Sequence, residues 1–164
     1  RGLGNAELGR ERPAFREYDP VGSRVGSISN ERTFHEATTD VSDSILSSLC
    51  ERVCWRARKR GVKARTVTLK LRYTDFQTIT RAHTMAPTHC ELKLHRIVRT
   101  LYRQARRRDR PIRLLGIALS NLGFFQQLEL FDGDDEHRCS AVDSVREKYG
   151  YHAVHLASTK RPGG

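Results

Sequence analysis

Thr66, Thr68, Lys70, Arg72 and Thr74 stand at alternate positions and put three hydroxyls and two cations on one side of a segment, with no acid among them. The intervening Val67, Leu69, Leu71 and Tyr73 are apolar or aromatic. Period-two alternation marks a half-buried strand whose two sides face different media. A solvated strand face ordinarily mixes both signs of charge, whereas hydroxyls with cations alone suit phosphate oxygens. After Thr74-Asp75-Phe76-Gln77 the pattern resumes with Thr78, Thr80 and Thr84 beside Arg81 and His83. The spacing predicts a hairpin from Ala64 to Met85 whose second strand extends the same surface. For an isolated strand, a solvent-facing amphipathic hairpin is the simpler reading, and other basic elements have to outweigh it.

The whole chain leans the same way. Its 164 residues hold 30 Lys and Arg against 19 Asp and Glu, a formal net charge of +11, and its pI is near 10.1. Such a balance favours a polyanionic partner. The excess is local: Arg52 to Arg72 contains nine cations and no acid, Lys93 to Arg113 nine cations against Asp109, and Glu129 to Lys148 seven acids against three bases. The 37% of hydrophobic residues suffices for one modest core, so a single domain of roughly 100 to 150 residues with flanking tails is expected. No apolar run approaches the roughly 18 residues of a membrane span, and Arg-Gly-Leu-Gly-Asn at the start lacks a signal-peptide core. The expected location is cytoplasmic. The chain opens on arginine rather than methionine and is read as a fragment or a processed chain. Cys50, Cys54, Cys90 and Cys139 form no Cys-x-x-Cys and no finger-type quartet with histidine, so they are read as core thiols.

Residues 1–23 mix Gly, Pro and both charges without period, as a linker or the remnant of a preceding domain would. From Arg24 to Phe34 the chain alternates again, with Ile28 inward and Ser27, Ser29 and Arg32 polar. Asp40 is a plausible N-cap for a helix carrying Val41, Ile45, Leu49, Val53 and Ala57 at four-residue intervals and ending at Gly61. Thr88 and Glu91 have the spacing of a capping box for a second helix with Leu94, Ile97, Val98, Leu101 and Ala105 in its stripe. Pro111 stops it, and Ile112 to Leu122 reads as a strand with Leu115, Ile117 and Leu119 inward and Leu114, Gly116, Ala118 and Ser120 outward. A last helix is expected from Arg138 to Tyr149. The order is β-α-β-β-α-β, an α+β fold: a four-stranded antiparallel sheet with two helices on one face and a short C-terminal helix. Residues 24–122 form the domain, 123–158 an appended loop and helix packed on it, and 159–164 a tail.

If both long helices cover the side bearing Val67, Leu69 and Leu71, the other side is bare. Its expected residues are Thr66, Thr68, Lys70, Arg72, Thr80, Arg81, Thr84 and Ser120. Readers of single strands place aromatics on such a face for bases to stack on, but Tyr73 points toward the helices. Hydroxyls, cations and the small residues Gly116 and Ala118 suit a duplex backbone followed without regard to sequence. The alternative is a free-standing ferredoxin-like RNA-binding module.

Four stretches carry a resemblance: Ser27-Ile28-Ser29-Asn30-Glu31-Arg32-Thr33-Phe34, Lys63 to Phe76, Arg113-Leu114-Leu115-Gly116-Ile117, and Ala141 to Gly150. In this order and spacing the chain resembles, from about residue 24 to about 158, the little-finger domain of Y-family translesion DNA polymerases, nearest the DNA polymerase IV (DinB) branch. The resemblance implies the same β-α-β-β-α-β fold, with its sheet along the major groove contacting phosphates. It carries phosphate contact onto Ser27, Ser29 and Arg32, onto Arg72 and Thr74, onto Thr80, Arg81 and Thr84, and onto Arg113, Ser120 and Asn121. The family usually has Gly where Ser29 stands, and some relatives have cations where Leu114 and Ala118 stand.

Nucleotidyl transfer needs carboxylates holding two metal ions, which in this family come from the palm domain, and no palm signature is present. Asp132, Asp134, Asp135 and Glu136 read as a solvated, N-capping acidic turn. No cofactor is expected in this fragment, which is not expected to polymerise, while Mg2+ is expected for a parent polymerase. Gln127-Leu128-Glu129-Leu130-Phe131 resembles the clamp-binding peptide of bacterial replication proteins, with Gln127, Leu128, Leu130 and Phe131 as the anchors for a sliding clamp. Equally, Leu128 and Phe131 cap the domain's own core. The expected partners are duplex or primer-template DNA and a sliding clamp, with no membrane.

Overall fold

The computed structural model describes residues 26–125 and 133–155. β1 (Ile28–Thr38) is followed by α1 (Asp43–Lys59), the hairpin β2 (Lys63–Tyr73) and β3 (Thr78–Thr88), α2 (Glu91–Ala105), β4 (Ile112–Gly123) and α3 (Gly133–Tyr149), with a 3-10 turn at Tyr151–Ala153. The four strands form one antiparallel sheet in the order β1-β4-β2-β3. The anticipated α+β architecture is present, with β1 starting and ending about four residues later than the alternation suggested and α3 starting five residues earlier.

One side of the sheet and the two long helices share a single core. Ile28, Val67, Leu69, Leu71, Tyr73, Leu115, Ile117 and Leu119 come from the strands, Leu46, Leu49, Val53 and Ala57 from α1, and Leu94, Val98, Leu101 and Ala105 from α2. α1 ends as its sequence demands. Gly61 takes φ 66, its amide donates to the Arg58 carbonyl at 2.9 Å, and the Val62 amide donates to the Ala57 carbonyl at 3.0 Å. This is a Schellman motif, and glycine is the residue that enters the left-handed region without a Cβ penalty.

Both helix starts differ from expectation. Ser42, not Asp40, is the N-cap of α1. Asp40 instead accepts from Tyr102 Oη at 3.2 Å and from Arg106 Nη1 at 2.6 Å, a tertiary use of a carboxylate that local sequence does not show. Cys90 is the N-cap of α2. Thr88 Oγ1 accepts from the Cys90 amide at 3.1 Å rather than from Glu91. The Glu91 carboxylate turns inward to Arg58 Nη1 at 2.5 Å, so the capping box is not formed.

α3 packs behind the helices, on the side away from the free face of the sheet. Arg146 and Glu51 are both fully buried and pair at 2.9 Å. Arg58 pairs with Asp143 of α3 as well as with Glu91, and His155 Nδ1 lies 2.9 Å from Glu51 Oε2. Buried ion pairs dock this last helix, together with Cys139 against Cys90. No helix among the described residues is long and apolar enough to cross a membrane.

Candidate nucleic-acid interface

Directly paired residues of antiparallel strands share a face, so the register assigns every side chain to a side. Four rows cross the sheet opposite the helices. Ser120, Thr66 and Thr84 form one; Ser29, Ala118, Thr68 and Ala82 the next; Glu31, Gly116, Lys70 and Thr80 the third; Thr33, Leu114, Arg72 and Thr78 the last. None of these residues is buried except Gly116, which lies under Glu31. Among the described residues no helix packs on this face. Strand spacing and rise make it about 14 Å wide and about 20 Å long.

Two irregularities of β4 add residues to it. Asn121 takes φ 50, and this kink places its Nδ2 2.8 Å from Thr66 Oγ1 while returning Leu122 to the core. Ser120 and Asn121 therefore share the open side, where strict alternation would have separated them. At the other end the register shifts between Leu114 and Ile112, because both Ile112 and Leu115 are core residues. Arg113 is thereby exposed at the rim, its guanidinium 5.0 Å from the ring centroid of Phe76. With Thr33 and Thr74 it lines a cleft of about 420 Å³.

The register turns two of the residues expected here to the other side of the sheet. Arg32 pairs with Leu115, an inward residue, and lines a cleft with Ser44 and Ser48 of α1. Arg81 pairs with Leu69, also inward. Both arginines therefore emerge on the helix side of edge strands, not on the open face, and Arg72 and Arg81 lie on opposite sides. The physical reason is elementary: Thr80 and Arg81 are neighbours in one strand and cannot share a face, nor can Ser29 and Arg32 without a bulge. Ser27 immediately precedes β1 and is exposed; Thr66, Thr68, Lys70, Arg72, Thr80, Thr84 and Ser120 stand where the alternation put them. Gln127, Leu128, Leu130 and Phe131 lie outside the described residues.

The open face also holds an acid that the β2 pattern did not reveal. Glu31 reaches across Gly116 to Lys70, with Oε1 2.9 Å from Nζ. A Cβ at position 116 would stand 2.9 Å from Glu31 Cγ, so glycine is what lets this bridge lie flat. The pair is partly exposed and worth at most about 1 kcal/mol. Arg72 is placed differently. Its Nε donates to Thr78 Oγ1 at 3.0 Å, which fixes the guanidinium plane and leaves its terminal nitrogens without a partner among the described residues. Thr78 lies on this face with Thr80 and Thr84 of the same strand, and so does Thr33, which was missed as a candidate although the inward assignment of Ile28 already implied that Ser29, Glu31 and Thr33 point outward.

A model of the impB/mucB/samB family C-terminal domain matches residues 25–130, the span holding all four strands and both long helices. The chain belongs to this family. Similar proteins include one named DNA polymerase IV from Pelotomaculum thermopropionicum, 31% identical over 159 residues that cover 90% of this chain and 40% of that protein. Another of the same name from Dehalococcoides mccartyi is 33% identical over 97% of this chain and 42% of that protein. An insertion ternary complex of Dbh DNA polymerase shares the fold, with a TM-score of 0.50 at 14% identity over 60% of this chain and 29% of that one. The chain thus spans about 40% of the length of the curated relatives it matches, and the expected place among little-finger domains of the DNA polymerase IV branch is borne out.

Glu31, Asp40, Glu51, Asp75, Glu91, Asp135 and Asp143 are each paired with a Lys or Arg. Among the described residues no three His, Cys, Asp or Glu converge as a metal site.

Proposed function

We propose that this domain grips the backbone of duplex or primer-template DNA in a largely sequence-independent way, as the non-catalytic C-terminal part of a longer translesion DNA polymerase. One observation carries the reading: four in-register rows of hydroxyls, small residues and two cations, with one acid, Glu31, and one leucine, Leu114, on a sheet face that no described helix covers. A width of about 14 Å matches a major groove about 12 Å wide. The hydroxyls of Ser29, Thr33, Thr66, Thr68, Thr78, Thr80, Thr84 and Ser120 donate to phosphate oxygens, Lys70 and Arg72 neutralise them, and Gly116 and Ala118 let the backbone approach. Family membership and relatives named DNA polymerase IV support the same assignment.

Nucleotidyl transfer, and the Mg2+ it requires, belongs in this reading to residues of the longer polymerase outside the chain. Its work is cytoplasmic. A sliding clamp is the second partner we infer, from Gln127, Leu128, Leu130 and Phe131 alone; Phe131→Ala is expected to abolish capture of the chain by a bacterial clamp, and undiminished capture would remove that partner. The main reading is tested by competition between primer-template DNA and single-stranded RNA of equal length. Duplex DNA is expected to win; preferential binding of the RNA would overturn the assignment in favour of an RNA-binding module.

A further inference from the structure

The docking of α3 onto α2 contains a pair of sulfurs that the DNA-binding reading does not use. Cys90 is the N-cap of α2, and Cys139 lies in the second turn of α3. Both are buried, and their Sγ atoms are 2.7 Å apart. A disulfide needs about 2.05 Å, so closure requires a shift of well under 1 Å. The surroundings make the two thiols unequal. The Cys139 thiol and the amides of Leu92 and Lys93 at the helix N-terminus push the Cys90 thiol below its ordinary range, against the effect of burial. Cys139 is pushed up, by its bond to Cys90 and by burial. A thiol held below its ordinary range at a helix N-terminus, with a second thiol pushed up beside it, is the arrangement of an attacking and a resolving cysteine. The other two cysteines of the chain give the contrast. Cys50 and Cys54, one turn apart on α1, are buried against the sheet and held as thiols by burial.

The geometry points to a redox modification site: Cys90 and Cys139 close a disulfide under peroxide and staple α3 to the start of α2. The Cys90 thiolate attacks one peroxide oxygen, the O–O bond breaks, and water leaves once the released hydroxide takes a proton, giving the sulfenic acid. Cys139 then loses its proton and attacks the Cys90 sulfur; the S–O bond breaks and a second water departs. Two thiols and one hydrogen peroxide give one disulfide and two waters. The Asp135 carbonyl, 3.5 Å from Cys90 Sγ, lies over the pair. The first turn of α3 is therefore the cover that opens to admit the oxidant, a local opening of the kind that terminal helices undergo.

The full chain, treated with hydrogen peroxide, quenched and titrated for thiols in denaturant, is expected to lose two of its four thiols and 2 Da as a monomer. Peptide mapping is expected to join Cys90 to Cys139. Melting temperature is expected to rise by roughly 10 °C, because closing a loop of this length restrains the unfolded chain, and dithiothreitol is expected to reverse both changes. Cys139→Ser and Cys139→Ala are expected to give a sulfenic or sulfinic acid at position 90 with no intramolecular bridge. Four intact thiols after peroxide that fully oxidises free glutathione, bridging through Cys50 or Cys54, or linkage only between chains would each overturn the proposal. The mapping on the unaltered chain needs no variant to fold.

Discussion

Arg72 and Arg81 give the sharpest separation that the sheet register allows. Both belong to the β2–β3 hairpin and both are basic, so a surface described only by charge treats them alike. The register places Arg72 opposite Thr78 on the free face and Arg81 opposite Leu69 on the helix side. If a phosphate is held by Arg72, its loss removes one released counterion, and the slope of log K against log salt falls in magnitude by about 0.9. Referred to 1 M salt, that slope alone weakens binding at 0.1 M by about eightfold, or ~1.2 kcal/mol. Arg81→Ala is expected to leave the slope unchanged within about 0.2 and affinity within about twofold, since an exposed charge on the far side acts only through a screened field. Fluorescence anisotropy with a short labelled duplex at four or five salt concentrations measures both quantities for both variants. Neither change is expected to disturb folding: among the described residues Arg72 makes one side-chain bond, to Thr78, and Arg81 bonds to the neighbouring Thr80 carbonyl. Equal slope losses for the two variants, or a loss confined to Arg81→Ala, would refute the assignment of the free face as the binding surface.

Three further outcomes follow from the same geometry. Glu31→Gln removes the acid that holds Lys70 and is expected to tighten duplex binding a few-fold at low salt, ~0.5–1 kcal/mol, with a steeper salt slope in the same titration; weaker binding would mean that the bridge positions Lys70 for the phosphate. Arg146→Met leaves Glu51 buried without its guanidinium, and urea denaturation is expected to show a loss of about 3–5 kcal/mol, most of it recovered in the Glu51→Leu/Arg146→Met double variant. The phenol of Tyr151 is pushed up to about 12 by burial and by the Glu51 carboxylate. The folded state then holds this proton more tightly than the unfolded one, whose tyrosine titrates near 10, so the contribution is complete below pH 10 and is lost as pH rises towards 12. Tyr151→Phe is expected to flatten that part of the decline in urea midpoint between pH 9 and 11.5.

The element order and the inward stripe were legible because hydrophobic period is a local property. Val67, Leu69 and Leu71, and Leu115, Ile117 and Leu119, announce their side of the sheet by spacing alone, and the open positions of β2 follow. Residue type and side of the strand disagree at two positions. Arg32 and Arg81 are basic and near the right place, yet strict alternation from Ile28 and from Thr80 already turns both away. Other features had no local signal. Glu31 reaches Lys70 only because β1 pairs with β4, and β4 with β2, an order that the sequence does not state. The kink at Asn121 requires a left-handed residue that asparagine tolerates, but nothing nearby demands one. The inward turn of Glu91 to Arg58 competes with the capping box its spacing suggests, and a buried guanidinium with two carboxylates outweighs a single cap bond.

A surface of this composition has consequences for how a polymerase domain would hold its substrate. A protein that must move along DNA by single base pairs cannot afford deep wells at each register. Each neutral hydroxyl contributes only about 0.5–1.5 kcal/mol net when it exchanges water for a phosphate oxygen, and eight of them in rows repeated about every 6.7 Å along the strands offer near-equivalent partners after a step. Cations deepen the well and fix the register more strongly. The register found here sends Arg32 and Arg81 away from the free face, ties Lys70 to Glu31 and leaves Arg72 as its one guanidinium within the four rows. Affinity carried mainly by many weak donors is tolerant of sequence and of displacement along the helix axis. Replacing Thr68 or Thr80 singly by valine is then expected to cost less than twofold in affinity, whereas replacing Thr66, Thr68, Thr80 and Thr84 together is expected to cost more than tenfold with the salt slope intact. A single threonine that accounts for most of the loss would show instead a site built around one fixed phosphate.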